Sequence, residues 1–493
     1  MSQERRLNGA MGHRKIEYKW IVLSVVTLGA LLAAIDSSIV ILALPSIMND
    51  LATNMVTAMW VLMGYILMNT IFLIIFGRLA DLFGRVRMYN LGFLAFTACS
   101  VLCAFASTGL ELVIFRLLQG IGGAMLMANG MALITEVFPP DERGRAMGIN
   151  SITWALGNII GPVLGGLILS VASWRLIFLI NLPVGVVATI WAYLALHEEA
   201  KPSLKERVDL PGVILFSLSI TALLVVLTLN MEWGWLSLPI LTLIALCLVT
   251  AAAFWVWERR TPHPVIDPAL FQSRVFSLGT FAAVLQSLAM FSVLYLMVFY
   301  LQGVRGETPI RAAILILPMA IVQSVLSPLG GIIADRRGAR LPATAGLLLQ
   351  GAAALILSYL RPGSSYTILF FGLTIMGIGG SFFWAPNTRA VMSSAPRNRL
   401  GVASATLATL RQCGMVMSFA LAMAAAAASM PSDLMTKIFL GTAEKLSGAM
   451  AAAFSVGLDQ ALRVSTFIVI LAAVCSWLAD DRSEVNRTLD GER

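Results

Sequence analysis

The sequence predicts an all-α, polytopic membrane protein with fourteen transmembrane helices, arranged as two six-helix bundles plus an inserted helix pair. Three observations carry this reading. Hydrophobic residues make up 58% of the chain and charged residues only 12%, against roughly 25% charged in soluble domains. The apolar residues gather into runs long enough to cross a bilayer. Finally, three short patterns recur at a spacing of about half the chain.

A soluble chain this apolar would have no interior large enough for its surplus, whereas hydrocarbon solvates it directly. A span takes about 20 apolar residues at about 1.5 Å each. On that template spans fall near 20–45, 55–78, 88–107, 110–134, 145–171, 176–196, 208–230, 237–257, 275–301, 310–334, 341–360, 364–388, 400–429 and 462–479. The five cysteines lie inside apolar runs, odd in number and matching no metal or disulfide spacing, so they read as small hydrophobes. The three histidines lie outside the runs, so no metal site, no histidine base and no cofactor is expected. The first apolar run is long enough to span and ends without a small-residue cleavage pattern, so it does not read as a signal peptide.

An even number of spans puts both termini on one side. Of the 34 Lys and Arg, 25 fall in the segments on the terminal side and seven on the other, while Arg116 and Arg411 sit inside spans. Basic residues favour the cytoplasmic side, so both termini are expected there, in a cell (inner or plasma) membrane.

The repeat sets the architecture. GRLADLFGRVR at Gly77–Arg87 is echoed by GGIIADRRGAR at Gly330–Arg340, with Asp81 and Asp335 254 positions apart. GIGG occurs at Gly120–Gly123 and at Gly377–Gly380, 257 apart, as are Gly157 and Gly414. Matched spans are 2 with 10, 4 with 12 and 5 with 13. Eight spans apart is even, so the halves share one orientation, a parallel repeat about an axis along the membrane normal. The expected divisions are an N-terminal bundle over 1–200, inserted spans 7 and 8 over 201–272, and a C-terminal bundle over 273–493.

These residues resemble the major facilitator superfamily, in its fourteen-helix drug:proton antiporter branch. The family's loop signature between helices 2 and 3, G-x-L-a-D-x-x-G-R-[RK]-[RK], is met by Gly77, Leu79, Ala80, Asp81, Gly84, Arg85 and Arg87, with Val86 departing at one basic position. The helix 4 signature R-x-x-q-G-x-g-a is met by Arg116, Gln119, Gly120 and Gly122 and, less exactly, by Gly123 and Ala124. The antiporter signature of helix 5, G-x-x-x-G-P-x-x-G-G, is complete at Gly157, Gly161, Pro162, Gly165 and Gly166. The helix 1 pattern D-x-[ST]-I-V-x-x-A-L-P appears as Asp36, Ser38, Ile39, Val40, Ala43, Leu44 and Pro45. The resemblance spans essentially the whole chain. It implies proton-coupled efflux of lipophilic small molecules and drugs, of the kind that confers antibiotic resistance, with the helix 5 face sealing the two bundles.

Asp36 is the acidic residue placed deep in a span, about 13 Å from the outer end of span 1. A carboxylate there costs roughly 2.5–3.5 kcal/mol on insertion scales, so it has a partner or a task, and proton carriage is that task. Arg116 lies about 9 Å into span 4, entered from the same side. The two are expected to face each other, or to share a water, and to separate on protonation; the structural alternative is a fixed ion pair locking two helices. Gly157, Gly161 and Gly165 share one helical face and permit close approach, and Pro162 bends the span. The loop of Gly77, Asp81, Gly84, Arg85 and Arg87 is expected to latch a cytoplasmic gate. Its plainer alternative is a solvated charged turn.

Arg411, with Gln412 beside it, lies about 16 Å into span 13 with no acidic residue deep in the C-terminal half. It bonds backbone carbonyls or meets an anionic substrate group. Tyr65, Trp154, Tyr295 and Trp384 are candidates for an adaptable cavity wall, and Asn129, Asn158 and Gln286 for its polar contacts, although most such side chains in a bundle are packing. Met430–Leu462 reads as an amphipathic outer cap.

The chain is therefore expected to act as a monomeric exporter driven by the proton gradient, taking a small lipophilic substrate. An uptake symporter or facilitator for an organic anion is the rival, favoured by Arg411. An enzyme would need a catalytic cluster in the spans, and the dispersed basic residues offer nothing to nucleic acid.

Overall fold

The computed structural model describes residues 2–139, 142–198, 209–261, 264, 266–396, 400–427 and 448–479. Among them every regular element is helical. The first half holds α1 (Ser2–Asp50), α2 (Met55–Phe83), α3 (Arg85–Ala104), α4 (Gly109–Val137), α5 (Arg143–Val171), α6 (Arg175–Leu179) and α7 (Asn181–Ala195). Then come α8 (Leu210–Trp233) and α9 (Leu238–Glu258). The second half holds α10 (Arg274–Phe299), continued by a π-helical turn at Tyr300–Val304, then α11 (Pro309–Arg337), α12 (Arg340–Ser358), α13 (Tyr366–Ser393), α14 (Leu400–Ala427) and α15 (Gly448–Leu478).

Thirteen segments are long and apolar enough to cross a membrane, α6 and α7 together forming one of them. The 28-residue α14 is long enough too, and Arg411 and Gln412 at its middle lower its apolarity. The chain is a multi-pass membrane protein. Large apolar side chains such as Leu94, Leu194, Leu248 and Phe467 stand exposed along the outer faces, where lipid takes the place of water. Below, the near side is the one on which α1 begins and the far side the one on which it ends.

The first and sixth expected spans are found, over Tyr18–Asp50 and Arg175–Ala195. The first helix itself begins earlier, at Ser2, and the sixth is broken at Ile180, because Pro183 offers no N–H to the carbonyl of residue 179. The last span is redrawn, its helix beginning at Gly448 rather than near 462. Half of the expected outer cap is thus the far-side part of α15, and residues 428–447 lie outside the described residues.

The repeat runs through the helix ends and the packing. On the far side, Asn54 caps α2 and Thr308 caps α11, 254 apart. Thr108 caps α4 and Ser365 caps α13, 257 apart. Each side chain accepts a hydrogen bond from a first-turn N–H, which satisfies a donor that has no partner in its own helix. On the near side, Gly84 and Gly338 end α2 and α11 at φ 104° and 86°, conformations that suit glycine. A Cβ on Gly120 would lie 2.4 Å from the Tyr65 carbonyl oxygen, and one on Gly377 2.5 Å from that of Met319. Such contacts bring α2 onto α4 and α11 onto α13 with backbones nearly touching.

Helix pairing follows the same rule. α1 packs on α5 and α3 on α4 and α7, as α10 packs on α14 and α12 on α13 and α15. The halves join along two seams, α5 with α11 and α2 with α14. Of the inserted pair, α8 lies against α14 and α2, and α9 packs chiefly on α8.

Candidate functional site

Five segments place one polar cluster inside the first half. Asp36 of α1 and Arg116 of α4 are buried at 0% and 1% exposure. The Arg116 guanidinium donates from Nη1 to Asp36 Oδ2 at 2.7 Å. The same nitrogen donates to Gln119 Oε1 at 2.7 Å, and Arg116 Nε donates to the Val61 carbonyl of α2 at 3.0 Å. The guanidinium Cζ lies over the Tyr65 ring, 4.4 Å from its centroid. Asp36 Oδ1 accepts from Gln119 Nε2 and from Asn181 Nδ2, both at 2.9 Å. Asn181 Nδ2 also lies 3.0 Å from Ser100 Oγ, which donates to the Phe178 carbonyl at 2.9 Å.

Local sequence explains the arrangement. Gln119 follows Arg116 by three residues and shares its helical face. Asn181 opens α7 directly after the break upstream of Pro183, and a side chain at a helix start is free to turn inward. An ionised carboxylate only accepts hydrogen bonds, and here three side chains donate to it. Donors from α4 and α7 thus converge on one carboxylate of α1.

The expected facing of Asp36 and Arg116 is met, with no intervening water needed. Two partners were not anticipated, Asn181 and Ser100. The sequence signal for the first is a polar amide two residues before a proline inside an apolar run.

The helix 5 signature lies beside this cluster. Cβ atoms built on Gly157, Gly161 and Gly165 would fall 2.5 Å from Ala34 Cβ, 2.0 Å from Ser38 Oγ and 2.8 Å from Ile39 Cγ1. The three glycines therefore hold α5 on the stretch of α1 that carries Asp36. That corrects the expectation that this face seals the bundles: of the signature glycines, Gly166 is the one against the other half, where an added Cβ would fall 2.7 Å from Ile310 Cα of α11. Pro162 is buried within α5.

In the near-side loop, Gly84 makes the turn and a Cβ there would lie 2.7 Å from the Glu198 carboxylate. Glu198 accepts from the Val86 N–H at the start of α3, and Arg85 pairs with Glu136 at 3.4 Å. Gly77 borders open space and Arg87 is exposed. The Asp81 side chain lies outside the described residues. Glu136 and Glu198 are partners that the motif alone did not indicate.

The expected cavity residues do not converge. Tyr65 belongs to the charged cluster. Asn129 is buried and donates to the Met125 carbonyl of its own helix. Trp154 is half-buried, and Asn158 is exposed instead of seeking a partner inside. Gln286 pairs with Gln350 at 3.1 Å. Tyr295 is fully buried between Phe299 and Phe419, so it is core and not a wall. Trp384 packs beside Phe383 and under Arg411, whose Cζ is 5.0 Å from the indole centroid. Of the two expected partners for Arg411, no described carbonyl accepts from it. Gln412 Oε1 meets Thr70 Oγ1 of α2 at 3.4 Å, across the seam between the halves.

Comparison with known proteins agrees with this organisation. The family model described as Major Facilitator Superfamily matches residues 26–419. The riboflavin transporter RibZ of Clostridioides difficile is 32% identical over 410 residues, covering 82% of this chain and 87% of that protein. The tetracenomycin C resistance and export protein of Streptomyces glaucescens is 30% identical, covering 80% of this chain and 73% of its own. The multidrug resistance protein Stp of Mycobacterium tuberculosis is 33% identical with the same coverage. Among solved structures, a bacterial homologue of the human lysosomal transporter Spinster, inward-facing and unoccupied, matches with a TM-score of 0.70 at 20% identity. It covers 95% of this chain and 98% of its own.

Proposed function

Because the chain belongs to the major facilitator superfamily, and so transports a small molecule, we propose that it is a proton-coupled exporter of lipophilic compounds, of the fourteen-helix drug:proton antiporter branch. The single observation that carries the coupling is the buried Asp36–Arg116 pair with its ring of donors. The second half supports this by contrast. Gly414 seats on Ser287 and Leu288 as Gly157 seats on Ala34 and Ile35, which sets Ala289 opposite Asp36. The 257-residue spacing likewise sets Leu373 and Met376 opposite Arg116 and Gln119. A fold-stabilising ion pair would serve both halves alike, whereas a proton carrier is needed once.

In this mechanism a proton reaching Asp36 from the far side releases Arg116, and α1 and α5 move together because the glycine face binds them. The halves then rock about the α5–α11 and α2–α14 seams, and the proton leaves to the near side as substrate moves the opposite way. The near side is the cytoplasm, where basic residues are concentrated, and the protein works as a monomer. Export is favoured over uptake by the complete helix 5 signature and by similarity to relatives named for export and multidrug resistance. Similarity to a protein named a riboflavin transporter favours, as a second reading, movement of a single metabolite.

The test is a substrate screen in everted membrane vesicles with an imposed pH gradient. Accumulation that collapses with a protonophore is expected. Accumulation indifferent to the gradient overturns the coupling.

A further inference from the structure

Arg411 is a cation at the middle of α14 without an anion. Among the described residues it takes part in one interaction, the stack on Trp384 of α13. The described ion-paired carboxylates of the second half are engaged elsewhere. Glu307 pairs with Arg311 and Tyr366, and Asp459 with Arg463 and Arg361, all toward the far side. Asp335 sits two residues from the near-side end of α11.

Other polar groups on the same two helices are also donors in surplus. Asn387, one turn after Trp384, is 4% exposed and its Nδ2 has no partner. Gln412, beside Arg411, is 6% exposed and its Nε2 has none either. A guanidinium at mid-membrane is costly, and a stack on an indole offsets part of that cost. Buried donors normally find acceptors. Among the described residues no carboxylate meets these donors.

The indole anchors the guanidinium without using its donors. With its Cζ held over the Trp384 ring, the planar guanidinium still carries five N–H donors. Their fork matches the two oxygens of a carboxylate. We propose that Arg411, with Trp384, Asn387 and Gln412, forms the subsite for a carboxylate or similar single anionic group on an aromatic substrate, whose ring packs beside the indole. This rests on the export reading for its place in the transport cycle, but the binding itself needs no gradient. It separates two roles: the first half handles the proton, and the second handles the substrate's charge.

The test measures equilibrium binding to the purified full-length protein in nanodiscs, with naphthalene-2-carboxylate and its uncharged analogue naphthalene-2-carboxamide as probes. The wild type is expected to prefer the carboxylate by about tenfold or more, the scale of a charge-assisted contact. Arg411→Gln is expected to abolish the preference while leaving carboxamide binding intact, which also shows that the variant is folded. Arg411→Lys keeps the charge but not the planar fork, and is expected to retain part of the preference. Equal binding of the two probes by the wild type overturns the proposal without recourse to any variant. So does an undiminished preference in Arg411→Gln. Neither result bears on proton-driven export, and a failure of export in vesicles leaves the binding preference standing.

Discussion

Ser38 and Gly161 meet so closely that a Cβ on the glycine would lie 2.0 Å from the serine Oγ. Ser38 is two residues from Asp36, and Gly161 is the central glycine of the α5 face. The contact ties the helix that lines a seam between the halves to the helix that carries the buried carboxylate. Motion of one is passed to the other because neither has slack.

Gly161→Ala is therefore expected to push α1 from α5 and lower stability by about 1–3 kcal/mol, the usual effect of overpacking. Gradient-driven transport should fall with it. Ser38→Gly added to Gly161→Ala removes the obstructing hydroxyl and should restore much of the thermal stability. A double variant no better than the single one would show that the contact is not the cause.

Asp36→Asn removes the carboxylate proposed to carry the proton and leaves Arg116 as an unpaired buried charge, which costs about 3–5 kcal/mol. Gradient-driven transport is expected to vanish while the protein remains in the membrane. Adding Arg116→Leu should recover thermal stability without recovering coupling. Unimpaired pH-driven transport by Asp36→Asn would refute the carrier role.

Asn181→Leu keeps the bulk of the side chain but deletes a donor to Asp36, with an expected loss of about 1–3 kcal/mol. Proton release on addition of substrate should diminish more than substrate affinity does, since no cavity residue is altered. Equal losses in both would make Asn181 a packing residue.

Gln302, in the π-helical turn after α10, donates to the Leu42 carbonyl of α1 at 3.2 Å, a bond between the halves on the far side. Gln302→Cys with Leu42→Cys, joined by a short bifunctional reagent, is expected to hold the far side closed and stop turnover. Cleavage of the link should restore it. Turnover that continues in the linked protein would mean that the far side does not open there.

Much of this site was legible beforehand, though not all. Asp36 and Arg116 could be matched because depth in a span follows from residue count, at about 1.5 Å per residue. Gln119 was legible as the residue three after Arg116 on one helical face. Tyr295 was misread because its burial depends on Phe419, 124 positions later, closing over the ring. Asn158 was misread because its exposure depends on Gly157 and Gly161 turning that face of α5 toward α1.

The bilayer is a solvent that reads a chain locally, run by run, so the amino-acid order alone determined the number of spans and the parallel repeat. The same linear record located a carboxylate and an arginine at similar depth. How each helix is rotated about its axis is a different kind of information. It decided that Asn181 joins Asp36, that three glycines clasp α1 while Gly166 reaches the other half, and that Arg411 lies on Trp384 with its donors unspent. Rotation is set by close packing summed over many helices at once, and no single segment encodes it.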